Sequence, residues 1–384
     1  MRFKTYKMED ILESLIDYRG KTPQKSDKGI MTLSAKSVRD GYIDYSQCYF
    51  ISEEEYKRFM VRGFPKIGDV LMTTEAPLGV TARLDREDIA LAQRLLTLRG
   101  KTGVLDTGYL YYYLRSPVGQ GKLKERQTGT TVTGIKQAEF RKIKVDLPDI
   151  EPQRKVASVL ETIDEKIKCN NAINENLADQ IQAIYGDEFD PGMHAPSAVL
   201  ADICQYSGDR IPVSELSVST YFSTENMQPN KSGATDATSL PSITQTTRCH
   251  KGDVLISNIR PYFKKIVYVT DDGCGCSTDV LCFVPKVDSY SAFLFGTLYM
   301  DRFFDYMVAG SKGTKMPRGD KQQIMNYPVV LPSKESLDHY NGLVIPMLDQ
   351  IASNRIENSR LAALRDTLLP KLMSGELDVS SLDL

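Results

Sequence analysis

The 384-residue chain is predicted to be an α+β protein in which two similar globular units are separated by two long helices. Three observations predict this: a heptad-spaced seam, a second copy of that seam, and a constant offset of 184 residues between matching stretches of the two halves. A repeat of that length is two domains and not a solenoid.

The first seam lies between Pro148 and Tyr185. Val156, Leu160, Ile163, Ile167, Asn170, Asn174, Leu177, Ile181 and Ile184 alternate spacings of four and three, the pattern of one long helix with a coiled-coil face. The second seam is Tyr340, Val344, Met347, Ile351, Asn354, Asn358, Leu361 and, after a break at Arg365, Leu368. Ile351, Asn354, Asn358 and Leu361 each follow Ile167, Asn170, Asn174 and Leu177 by 184 residues. A seam asparagine lowers stability but sets register, because its amide needs a partner on the facing helix. The two stretches therefore read as partners, with Asn170, Asn174, Asn354 and Asn358 at their centre. The blander reading is two unrelated amphipathic helices, each packed on its own domain. Each helix of about 35 residues would span roughly 50 Å. The repeat favours antiparallel packing with a pseudo-twofold axis, although connectivity alone also permits a parallel pair.

The predicted boundaries are residues 1–148 for the first unit, 149–186 for the first helix, 187–332 for the second unit and 333–384 for the second helix and tail. Within the first unit, Met8 to Tyr18 is amphipathic and predicts a short helix, broken at Arg19-Gly20-Lys21-Thr22-Pro23. Asp40 to Tyr45 predicts a turn and a strand, Gly68-Asp69 a turn leading into the buried strand Val70 to Thr74, and Ile89 to Leu98 a further apolar run. Asp106 to Arg115 reads as a Tyr/Leu-rich helix, Gly129 to Ile135 as a loop, and Ile143 to Pro148 as a strand with a proline exit. At the 184-residue offset Gly252-Asp253-Val254-Leu255 repeats the turn and strand, Gly313-Thr314 the loop and Leu331-Pro332 the exit. Phe293 to Phe304 is again an aromatic-rich helix.

Hydrophobic content of 41% and charged content of 26% are those of a globular protein. No apolar run approaches the ~20 residues that cross a bilayer, and the N-terminus has no signal-peptide core, so a cytoplasmic location is expected. Seven sparse cysteines agree with a reduced compartment. Residues 1–148 carry 26 Lys/Arg against 19 Asp/Glu, or +7, and residues 149–190 carry 4 against 10, or −6. That basic excess is a weak pointer to nucleic acid.

Enzymatic patterns fail one by one. There is no G-x-G-x-x-G loop after a strand, and Gly310 to Lys315 lacks P-loop spacing. Asn258-Ile259-Arg260-Pro261-Tyr262 is similar to an amino-methyltransferase N-P-P-Y site, but Arg260 interrupts it and no cofactor loop precedes it. Three scattered histidines support no triad. Cys249-His250 with Cys274, Cys276 and Cys282 matches no zinc spacing, so no metal site is assigned. No catalytic residue is assigned either.

What remains is a recognition surface. Lys124, Arg126 and Lys136 flank the Gly-Thr loop that contains Thr130 and Thr131, whose hydroxyls and amides suit phosphate oxygens. Arg19, Lys21, Lys36, Thr73, Thr74, Gln93 and Arg94 in the first unit are further candidates. In the second unit the candidates are Asn258, Arg260, Tyr262, Lys264, Lys312, Lys315 and Arg318. Arg and Asn/Gln side chains make bidentate contacts to guanine and adenine. For any one of these residues an ordinary solvated surface position is the competing reading.

Several stretches carry a resemblance. These are Gly68-Asp69-Val70-Leu71-Met72-Thr73, Gly129 to Ile135, Val145 to Pro148, Gln153-Arg154-Lys155-Val156-Ala157-Ser158-Val159-Leu160 with Ile163-Asp164, and Leu368 to Leu377. With them the chain resembles the DNA-specificity subunits of Type I restriction–modification systems over essentially its whole length. The second half departs from the pattern: Lys315-Met316-Pro317-Arg318 replaces Thr131 to Gly134, and no Glu-Gln pair follows Leu331-Pro332. The resemblance implies two target-recognition domains, each reading half of a split site in double-stranded DNA, with helices that act as a ruler. It implies no catalysis by the chain itself, two methyltransferase (modification) subunits as partners, and restriction/translocase subunits recruited through them. It also implies no cofactor on this chain, with S-adenosylmethionine, ATP and magnesium on the partner subunits. The competing class is a coiled-coil interaction scaffold with two adaptor domains and no DNA, which an adjacent adenine-methyltransferase gene would exclude.

Overall fold

The computed structural model describes residues 2–18, 20, 22–129 and 133–379. They form an α+β chain that divides into two compact units, residues 1–168 with 358–384, and residues 169–357. The helices Ile150–Phe189 and Lys334–Ser374 each contribute one part to each unit.

Unit 1 is built on a four-stranded antiparallel sheet in the order Leu12–Asp17, Leu95–Gly100, Val70–Thr73, Thr81–Arg83. Val70 to Thr73 is buried on both faces, which explains its unbroken apolar run. The helix expected over Met8 to Tyr18 is only one turn, Met8–Ile11; Leu12–Asp17 is a strand. Its pairing with Leu95–Gly100 overrides the amphipathic period of the isolated segment. The apolar run from Ile89 is likewise two strands, Ile89–Leu91 and Leu95–Gly100, parted at Gln93-Arg94. Asp106 caps helix Thr107–Arg115 by accepting from the Tyr109 amide at 2.9 Å. Tyr109 to Leu114 are all buried, so this helix is the apolar centre of the unit.

Unit 2 repeats the plan. Its sheet order is Cys204–Tyr206, Val280–Pro285, Val254–Ser257, Ile266–Tyr268. Helices Ser291–Tyr299, Asp301–Ala309 and Lys321–Met325 each lie 184 residues after Thr107–Arg115, Pro117–Glu125 and Gln137–Arg141. The single aromatic helix expected over Phe293 to Phe304 is thus two, broken at Met300. The match extends to backbone angles: Gly129 and Gly313 both have φ 103°, left-handed positions that suit only glycine.

The seam residues are where the heptads put them. Val156, Leu160, Ile163 and Asn170, then Ile181, are buried on the first helix, and Tyr340, Val344, Ile351 and Asn354 on the second. In unit 2 the Asn354 side-chain amide donates to Asn174 Oδ1 at 2.8 Å, and that of Asn170 to Glu357 Oε2 at 2.7 Å. The paired numbers sum to 528 and 527, so the two segments run antiparallel. Asn170 thus meets a carboxylate on the facing helix, a partner that the heptad seam does not predict. The seam break at Arg365 also has a cause: within unit 1 its guanidinium donates to Asp164 Oδ1 at 2.8 Å, and Asp164 Oδ2 accepts from the Tyr112 hydroxyl at 2.8 Å. One carboxylate thus ties both helix segments to the core of that unit. Gln153, fully buried, does the same from the helix start, bonding the Asp106 amide and the carbonyls of Val104 and Pro148. Leu337, at the equivalent place in unit 2, is buried without such bonds, which accounts for the missing Glu-Gln pair.

Candidate nucleic-acid interface

In each unit the Gly-Asp turn aims the central strand. Asp69 is buried, accepts from the Lys66 amide at 2.9 Å and binds the Arg99 guanidinium with two bonds of 2.7 and 2.8 Å. Asp253 accepts from the His250 amide at 2.8 Å and from the Cys282 thiol at 3.4 Å. Register puts Val284 where Arg99 stands, since Val70 pairs with Leu98 and Val254 with Phe283. Burial without that guanidinium, reinforced by the Cys282 thiol, pushes the Asp253 carboxyl up to about 7. In the unfolded chain it titrates near 3.9. Between those values the folded state holds the extra proton, so stability falls as pH rises from about 4 to about 7 and levels off above. At 1.36 kcal/mol per unit the loss is on the order of 4 kcal/mol. Urea unfolding across that range is expected to show this slope in the wild type and its absence in Asp253→Asn; an equal slope in both would contradict the assignment.

At the far end of Val70–Thr73 three segments of unit 1 meet. The Thr74 amide donates to the Arg94 carbonyl at 3.0 Å, the Ile135 amide to the Thr74 carbonyl at 2.9 Å, and Gly134 bridges both Glu75 and Thr128. Arg94, exposed and left-handed at φ 69°, is ion-paired with Glu75 at 2.8 Å. Gln93 is half-buried beside it. Strands Ile30–Leu33 and Ile89–Leu91 are parallel, so exposed Lys36 lies at the same edge as Gln93 and Arg94. A cleft of about 430 Å³ is lined by Ala76, Pro77, Leu78, Gln120, Lys124 and Thr133, among others. Lys124 and Lys136 are exposed at its side of the unit, whereas Arg126 is held by Glu139 at 3.0 Å.

Not every sequence candidate can face a duplex. Thr73 is fully buried; its hydroxyl donates to the Pro77 carbonyl at 2.6 Å and accepts from the Val80 amide at 3.0 Å, so it shapes the loop. Thr74 is also buried, and its hydroxyl has no partner. Arg19, Lys21, Thr130 and Thr131 lie outside the described residues.

Unit 2 builds the same junction from other side chains. The Asn258 amide donates to the Asp279 carbonyl at 2.8 Å, Ile259 and Lys312 each bridge Arg318, and Arg318 is paired with Asp279 at 2.9 Å. Lys312 is paired with Asp320, and Lys264 with Asp301 at 2.9 Å, while Lys315 is exposed. Asn258 stands where Thr74 does and, like it, is buried with an unpartnered oxygen. Arg260 and Ala76, at the same offset and both before proline, are left-handed at φ 52° and 53°. The repeat of a strained non-glycine residue beside an unsatisfied polar atom has no signature in either sequence stretch; only the offset points to it. Cys249, Cys274, Cys276 and Cys282 are buried core residues of this unit.

Residues 2–179 match the family model of the Type I restriction modification DNA specificity domain. The Type I restriction enzyme MjaIX specificity subunit of Methanocaldococcus jannaschii is 26% identical over 365 residues, covering 86% of this chain and 82% of that protein. The EcoDI specificity subunit of Escherichia coli is 23% identical over 320 residues, 71% of each. A crystal structure of the Type I restriction-modification system S subunit from M. genitalium has the same fold, with a TM-score of 0.62 at 16% identity over 97% of this chain and 96% of that one. Over most of its length the chain is thus similar to specificity subunits of Type I restriction–modification systems. No helix among the described residues is long and apolar enough to cross a membrane.

Proposed function

We propose that the chain is the sequence-reading subunit of a DNA-modifying complex, each unit reading one half of a bipartite target and the chain itself doing no chemistry. The observation that carries this is the junction at the end of the central strand, built twice on one sheet order with different side chains at its rim. One scaffold with two rims is what an asymmetric two-part site requires. Partners of this reading are two methyltransferase subunits and, through them, ATP-dependent restriction subunits, which would carry S-adenosylmethionine, ATP and magnesium. Lys36, Gln93, Arg94, Lys124, Arg126 and Lys136 are the proposed contacts of unit 1, with Asn258, Arg260, Tyr262, Lys264, Lys312, Lys315 and Arg318 those of unit 2. Several of these cations are already paired with carboxylates, so they are held in place before DNA arrives, and near-neutral charge leaves part of the phosphate neutralisation to partners.

The test is salt dependence. Replacing Lys124, Arg126 and Lys136 by alanine should weaken binding and flatten the slope of log K against log salt by about 0.9 for each phosphate that is no longer neutralised. Glu139 stays paired with Lys142 at 2.8 Å in Arg126→Ala, so the loss is that of the cation. A triple variant with the wild-type slope would move the DNA-binding surface elsewhere.

A further inference from the structure

We propose that Tyr262 and Phe263 form an aromatic wedge that unit 2 sets against the bases of its half-site, so that the two units read DNA by different physical means. This rests on the DNA-reading function above. The two rings are 48% and 37% exposed, 4.7 Å apart and tilted by 55°. Two neighbouring aromatic rings left in water are costly, and here they sit on a turn that is itself strained.

Pro261–Phe263 is one tight turn between Arg260 and Lys264, both non-glycine and both left-handed at φ 52° and 51°. The turn is fixed from several sides. The Arg260 amide donates to the Pro317 carbonyl, the Asn230 amide to the Phe263 carbonyl and the Lys231 amide to the Lys264 carbonyl, each at 2.8 Å. Lys231 and Lys264 share Asp301 at 2.8 and 2.9 Å. The rings are therefore presented on a rigid support, and little ordering remains to be done on binding.

The chain leading into this turn carries two polar atoms without partners. Asn258 Oδ1, an acceptor, and Arg260 Nε, a donor, are buried with no hydrogen-bond partner. Lys315 is exposed, as is Met316 at 50%, in the segment whose Pro317 holds Arg260. Exposed apolar rings flanked by cations fit a duplex opened at a base step: the rings stack and the cations meet phosphate. At the equivalent position unit 1 has no aromatic ring. The 184-residue offset places Leu78, half-buried, and Gly79, packed on Gln120 and Leu123, where the rings stand.

The experiment uses the full chain in its complex with methyltransferase subunits, and a duplex carrying the target found by methylome sequencing. 2-Aminopurine is placed at each position of both half-sites in turn, and wild type is compared with Tyr262→Ala/Phe263→Ala. The expected result is a rise in fluorescence at one step of one half-site that the double variant abolishes. Affinity should drop about tenfold with an unchanged salt slope. A base flipped out by a methyltransferase gives a rise in both proteins and cancels in the comparison. Identical profiles with tight binding overturn the wedge and leave DNA reading intact. Failure of the wild-type complex to bind the duplex overturns both, and would turn the exposed rings into a protein-binding surface.

Discussion

Seven residues inserted in each long helix, between Asp164 and Asn170 and between Glu357 and Arg365, should lengthen the gap between the two half-sites and leave both half-site sequences alone. The insertions fall between bonded pairs on either side: Asp164 with Arg365 in unit 1, and Asn170 with Glu357 and Asn174 with Asn354 in unit 2. Inserting in both helices keeps each pair; inserting in one would break the antiparallel register on one side. A heptad returns the seam to nearly the same face, with a drift of about 20°. It adds about 10 Å along the helix, equivalent to at most about three base pairs at 3.4 Å each. Those base pairs also rotate one half-site around the DNA axis, so affinity should fall even for the new target. Methylated sequences read from cells carrying the variant provide the measurement. An unchanged gap would reject the helices as the element that sets spacing.

Much of this architecture is legible in the residue order because it is periodic or repeated. The seam needs one apolar face, which forces spacings of three and four, and duplication left one offset running through strand, loop, proline exit and helix. That offset marks Asn170, Asn174, Asn354 and Asn358 as equivalent seam positions, and the antiparallel register then pairs Asn354 with Asn174. The bond from Asn170 to Glu357 is not legible there, because Glu357 is no seam residue. Leu12 to Asp17 has a helical period and is a strand for a related reason: its fate is decided by Leu95–Gly100, about 80 residues away, and not by its own pattern.

The interface is less legible. Lysines and arginines around the Gly-Thr loop are visible in any sequence, but which are exposed and which are held by a carboxylate depends on packing. Thr73 has the residue type of a DNA contact and is fully buried. Conversely, Ala76 and Arg260 are ordinary letters until both prove left-handed at equivalent places. The Gly-Asp turn marks the entry to the strand in both halves, but its two different solutions, a bidentate arginine in unit 1 and a buried carboxyl beside the Cys282 thiol in unit 2, arise only in the folded core.

The second large effect concerns the units themselves. Residues 1–148 can be exchanged for the corresponding domain of another specificity subunit while the helices are kept. The graft must preserve the clasp of Gln153 on the segment from Val104 to Asp106 and on Pro148, or the buried Gln153 side chain loses three hydrogen bonds. With that clasp intact, the strand-end junction of unit 1 is replaced as a whole and that of unit 2, from Asn258 to Arg318, is untouched. Because each junction is assembled within its own unit, specificity should change in one half of the target only. The most direct measurement is the methylome of cells expressing this chimera with its methyltransferase subunits. One altered half-site, with the other half and the gap conserved, is the predicted result; change in both halves, or in neither, would contradict a chain that reads DNA with two independent units.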